Sequence, residues 1–92
     1  MRDVDAIIQQ LRLAYPGISA EQLNVLHPGA DDDGLWFIRH PASSTEIQLE
    51  SPTGNAPFLV ESSGSTDRQL ADTVQQAVAL VVAGLGFPGP AA

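Results

Sequence analysis

Hydrophobic and polar residues alternate along this chain with two periods, and the change from one to the other outlines the fold. Val4, Ile7, Ile8, Leu11 and Tyr15 recur at the spacing of one helical face, with Asp5, Gln9, Gln10 and Arg12 falling elsewhere. The spacing predicts a helix over residues 3–15, begun by Asp3 as a cap and stopped by Pro16 and Gly17. A second helical stripe follows near the end: Val74, Ala77, Val78, Val81 and Leu85, widened by Leu80 and Val82. Thr73 and Gln76 have the form of a capping box, Asp72 is an alternative cap, and Gly84 and Gly86 close the helix.

Between the two stripes the period falls to two. Thr45-Glu46-Ile47-Gln48-Leu49-Glu50 is the clearest strand, with Ile47 and Leu49 on one face and Glu46, Gln48 and Glu50 on the other. That alternation means one face of the sheet meets water. Leu35-Trp36-Phe37-Ile38-Arg39-His40 and Phe58-Leu59-Val60-Glu61 read as further strands, and Leu23-Asn24-Val25-Leu26-His27 as a first one. Residues 18–22 read as a connector, 28–34 and 52–55 as turns, and 62–72 as irregular. The expected fold is α+β: a helix, a four-stranded antiparallel meander and a helix, with both helices on the face that holds Ile47 and Leu49. Residues 1–87 form one expected domain, and the tail from Phe87, above all residues 88–92, is expected to fray.

The size supports this reading. A chain of 92 residues is one domain's worth, and it buries roughly 60–65% of its unfolded surface. That is enough for one modest core and leaves little for a deep, lidded cleft.

Charge narrows the partners. Four basic residues, all arginine, stand against eleven acids, for a net charge of −7. Scattered arginines cannot build the cationic face that displaces counterions from phosphates, so nucleic acid and anionic membrane surfaces are disfavoured. A basic protein would be electrostatically favoured. The chain has no cysteine, which removes disulfides and thiolate chemistry. Two acids among the first five residues and the lack of a long apolar run argue against a signal peptide or a membrane span, so a cytoplasmic location is expected.

The candidate chemistry is sparse. Asp31, Asp32 and Asp33 are the densest charge and offer oxygen ligands for calcium or magnesium. Consecutive side chains point apart, however, and the spacing is not that of an EF-hand, so a solvated turn is the plainer reading. His27 and His40 are the only histidines, and each ends a predicted strand beside that loop. A His–Asp pair there would suit acid–base work; two partly exposed histidines is the plainer account. No serine lies in a nucleophile elbow. No cofactor is implied.

The strand from Leu35 to His40 is apolar on both faces: Trp36 and Ile38 on one, Leu35 and Phe37 on the other. If one sheet face is wet, either Trp36 or Phe37 is partly exposed. Arg39 shares the parity of Phe37, which puts Trp36 in the core. An exposed aromatic among Glu46, Glu50 and Glu61 is a candidate partner-binding or self-association surface. The wide apolar arc of the last helix suits either a homodimer contact or a helix sunk between sheet and first helix.

The runs Pro28-Gly29-Ala30-Asp31-Asp32-Asp33-Gly34-Leu35-Trp36-Phe37, Glu46-Ile47-Gln48-Leu49-Glu50-Ser51 and Pro57-Phe58-Leu59-Val60-Glu61-Ser62, with the Thr73-Val74-Gln75-Gln76 helix start, resemble small uncharacterised bacterial proteins of about this length. The resemblance implies no activity and no catalytic residues. Toxin-immunity proteins share the size and layout, by analogy of fold only. The reading is a non-enzymatic interaction module, immunity-like or adaptor, with a small metal or acid–base site on Asp31, Asp32 and Asp33 as the alternative.

Overall fold

The structure is a computed structural model, and it describes residues 2–22 and 34–87. The element order is α1 (Asp3–Ala14), β1 (Ser19–Gln22), β2 (Leu35–Arg39), β3 (Ile47–Glu50), β4 (Phe58–Ser62), β5 (Arg68–Ala71) and α2 (Val74–Leu85). The strands form one antiparallel meander in the order β1-β2-β3-β4-β5. The α+β class and the meander agree with the sequence reading, but among the described residues the sheet already has five strands, not four. β1 lies in the segment read as a connector, and β5 in the segment read as irregular. The strand expected over residues 23–27 lies outside the described residues, as does most of the loop that follows it.

Both helices cover the same face. Along one cross-strand row, Gln22, Trp36, Leu49, Val60 and Gln69 lie side by side. The three middle residues are buried and the glutamines at the two sheet edges are exposed. Ile38 and Ile47 form the middle of the next row on that face. Val4, Ile7 and Leu11 of α1 and Ala77, Val78, Val81, Val82 and Leu85 of α2 close over these rows in one core. α2 touches α1 as well as β3, β4 and β5. Its wide apolar arc is therefore spent between the sheet and the first helix.

Thr73 caps α2 as expected: its Oγ1 accepts the Gln76 backbone N–H at 3.1 Å. The Gln76 side chain reaches one residue further back than a capping box requires and accepts from Asp72 N at 2.7 Å. At the other end, Gly86 sits at φ 82°, where a side chain is unfavourable. Gly86 N and Phe87 N donate to Ala83 O and Val82 O, a Schellman closure. Phe87 does not fray. It stacks on Tyr15 and meets His40 edge-on, each at 5.0 Å between ring centroids.

Asp3 does not cap α1. Arg2 holds the cap position and Asp5 accepts its backbone N–H at 3.2 Å. Asp3 instead ties the helix to the β3–β4 loop: its N–H donates to Asn55 Oδ1 and its carboxylate accepts from Ala56 N, both at 2.9 Å. Val4 N donates to Gly54 O at 2.8 Å. The loop thus takes the free amides of the first turn.

The same corner contains the one buried polar side chain among the described residues. Ser51 is 1% exposed, and its Oγ donates to Asn55 O at 2.6 Å. Its N–H donates to Gly34 O at 2.7 Å. A Cβ on Gly34 would lie 2.1 Å from Ser51 O. No side chain fits there, because the obstruction is backbone.

Two stability experiments follow. Gly34→Ala lowers unfolding free energy in urea by about 1–3 kcal/mol, the range for forced overpacking. Trp36→Ala costs about 3–5 kcal/mol as a large core truncation, whereas Phe37→Ser on the opposite face costs about 1 kcal/mol or less. Equal losses at 36 and 37 would contradict the facing assigned to β2.

Candidate interaction surface

Among the described residues the second sheet face carries no helix, and the register sets out its contents. One row reads Glu21, Phe37, Gln48, Glu61, Arg68. The next reads Leu35, Glu50, Leu59, Leu70. Ser19 and Arg39 pair in a third, with Glu46 beside Arg39 through their ion pair. Directly opposed side chains in such rows are close enough to interact, so each row is a continuous strip of surface.

Phe37, Leu35 and Leu59 are half-buried, held between their neighbours, and Leu70 on the outermost strand is 59% exposed. These four make an apolar band across β2, β4 and β5 that Glu50 interrupts at β3. Charge surrounds it. Arg39 pairs with Glu46, and Arg68 Nε lies 3.3 Å from Glu61 Oε2. Both arginines are more than half exposed, and pairs of this kind add at most about 1 kcal/mol. They do cancel each other locally, so the net charge of the face comes from Glu21 and Glu50, for which no ion pair is present among the described residues. A shallow depression of about 240 Å³ lies on this face, with Leu35, Gln48, Glu50, Glu61 and Arg68 among its walls.

Of the residues singled out in sequence, Phe37, Glu46, Glu50 and Glu61 therefore share one surface. Trp36 does not. It is 4% exposed under the helices, and the Arg2 guanidinium sits 5.8 Å from its ring centroid. It supports β2 from beneath and cannot touch a partner without unfolding. Among the residues that sequence reasoning passed over and that join the surface are Leu70 and Arg68, both on β5. Their signal was present only as a single leucine in a polar stretch.

A second concavity, about 580 Å³ and widely open, lies at the end of the sheet between Gly17, Ser19, Arg39, His40, Ser43 and Glu46. His40, Ser43 and the Arg39–Glu46 pair in its wall are already engaged. His40 Nδ1 accepts from Ala42 N at 3.0 Å, which places the ring proton on Nε2, 3.2 Å from Pro16 O. Ser43 Oγ donates to Leu85 O at 2.8 Å and accepts from Thr45 N at 3.1 Å. Histidine and serine here pin loops to α1 and α2, and neither points a free atom into the space.

Asp31, Asp32, Asp33 and His27 lie outside the described residues. Among the described residues no three His, Asp or Glu side chains converge as metal ligands would, and no helix is long and apolar enough to cross a membrane. No protein-family model matches this chain, and neither a curated protein nor a solved structure matches it.

Proposed function

We propose that this chain is a non-enzymatic protein-interaction domain, of the adaptor or immunity kind, that receives a basic protein on the open face of its sheet. The observation that carries the reading is the band of Leu35, Phe37, Leu59 and Leu70 left uncovered by either helix, edged by Glu21 and interrupted by Glu50, neither of which is in an ion pair among the described residues. Interfaces combine an apolar, aromatic-bearing centre with a polar rim, and this face has that composition. Phe37 is the anchor, because it is the large aromatic of this face and sits at the middle of β2. The acidic rim and the chain's net charge of −7 select for a partner with lysines or arginines around an apolar contact, and they speed encounter more than they add affinity. A cytoplasmic setting suits this role.

The test uses affinity capture from a bacterial lysate at low and moderate salt, with four baits: the natural chain, Phe37→Ser, Glu50→Lys and Leu13→Ser. Leu13 is 77% exposed on α1, away from the sheet, and serves as the control. One basic protein is expected on the natural bait, falling as salt screens the rim. Phe37→Ser weakens it by about 30-fold, equivalent to about 2 kcal/mol for an interface anchor. Glu50→Lys weakens it at low salt only, and Leu13→Ser leaves it intact. No partner at either salt, or one indifferent to Phe37 and Glu50, overturns the reading.

A further inference from the structure

We infer that two copies of this chain pair edge to edge through β5, making one continuous ten-stranded sheet with both open faces on the same side. β5 ends the sheet, and among the described residues no strand pairs with its outer side. Three of its four residues are exposed, including Leu70. Exposed edges are ordinarily protected by charge, proline or bulges, since their free amides and carbonyls recruit other strands. β5 places a leucine at the middle of the edge instead.

The occupant follows from the sequence of the edge itself. Two identical antiparallel edge strands pair about a twofold axis perpendicular to the sheet, and directly opposed residues share a face. Few registers are open to Arg68-Gln69-Leu70-Ala71-Asp72. Centred on Arg68, two guanidinium groups collide. Centred on Gln69, Arg68 opposes Leu70. Centred on Ala71, Leu70 opposes Asp72. Centred on Leu70, leucine meets leucine, Gln69 meets Ala71, and Arg68 meets Asp72 of the second copy on both sides of the axis. Only this last register opposes leucine to leucine and positive to negative, and register is set by such matching. Arg68 is free to take part, because its side chain is 61% exposed and its bond to Glu61 spans 3.3 Å. The apolar band of each copy then runs through Leu59 and Leu70 into its mate.

The contact is short. Stable interfaces bury about 1,200–2,000 Å² in total, more than a strand of this length supplies, so the dimer is concentration-dependent, with a Kd between about 1 µM and 100 µM. It is independent of the foreign partner proposed above: Phe37→Ser, which removes that partner, leaves the dimer intact.

A single-cysteine experiment decides it, because the chain has no cysteine of its own. Opposed residues in an antiparallel pair have Cα atoms about 4.5 or 5.5 Å apart, within the ~4.4–6.8 Å that a disulfide spans. Under mild oxidation Leu70→Cys is expected to form a covalent dimer about tenfold or more faster than Leu13→Cys, through pre-association. In sedimentation at about 0.5 mM, the natural chain is a dimer and Asp72→Arg is a monomer. Adding Arg68→Glu to Asp72→Arg restores the dimer. Cross-linking at 70 no faster than at 13, a natural chain of monomer mass at that concentration, or failure of the double reversal to restore the dimer overturns the inference. So does a strand of another protein occupying the edge of a monomeric chain.

Discussion

Strand side chains alternate faces every residue, and among the described residues the sheet has helical cover on one face only. Everything distinctive about the molecule descends from that constraint. α1 and α2 each carry one apolar stripe, and both stripes are used on the row of Trp36, Leu49 and Val60 and the row of Ile38 and Ile47. What lies one residue away on each strand is left to water. For β3 that residue is Gln48 or Glu50, and exposure costs nothing. For β2 it is Leu35 or Phe37, and for β4 it is Leu59. A one-residue slip would exchange the two faces completely, putting Glu50 and Glu61 beneath the helices. The core therefore fixes the register, and the register fixes which residues form the exposed face.

The helices must also be held at the correct end of the sheet, and one polar corner does this. Ser51 ends β3 and bonds at once to Gly34 before β2 and to Asn55 before β4. Asn55, Gly54 and Ala56 then receive the first turn of α1. Each bond contributes about 1 kcal/mol, and leaving the buried Ser51 hydroxyl unsatisfied would cost more. The far end is closed differently, by Phe87 against Tyr15 and His40 and by Ser43 against the last carbonyl of α2. This explains why the chain's described histidine and its best-placed serine are structural. A loop-pinning role uses the same hydrogen-bonding atoms that catalysis would need free.

The sequence showed the two helices and the three inner strands because burial imprints a period on them. α1 and α2 repeat at 3.6 and β3 at 2, and β2 and β4 are rich in branched and aromatic residues. It hid β1 and β5 because an edge strand has only one strand neighbour and little to bury. Ser19-Ala20-Glu21-Gln22 has a single small apolar residue, and Arg68-Gln69-Leu70-Ala71 is mostly polar. Neither has intrinsic strand character; pairing with β2 and β4 recruits them. The parity of Arg39 with Phe37 correctly separated Trp36 from Phe37. The acidic residues of the candidate surface were legible through alternation, but Arg68 and Leu70 were not, since they belong to the strand that burial did not mark. Asp3 was misread for a related reason: its long-range partners, Asn55 and Ala56, are more than fifty positions away.

The two edges of the sheet are not equivalent, and the difference bears on what each is for. On β1 the residue that faces the open side beside Phe37 is Glu21, and the one beside Arg39 is Ser19. A second β1 edge centred on Glu21 would bring carboxylates into opposition, which destabilises pairing. On β5 the corresponding positions hold Arg68 and Leu70, one cationic and one apolar, followed by the anionic Asp72. The acidic chain thus places an unlike charge and an exposed leucine together at one margin of an otherwise negative surface. A polar composition alone would have sufficed to keep that margin soluble. Leu70 against Leu59, in line with the rest of the apolar band, makes the margin continuous with the open face.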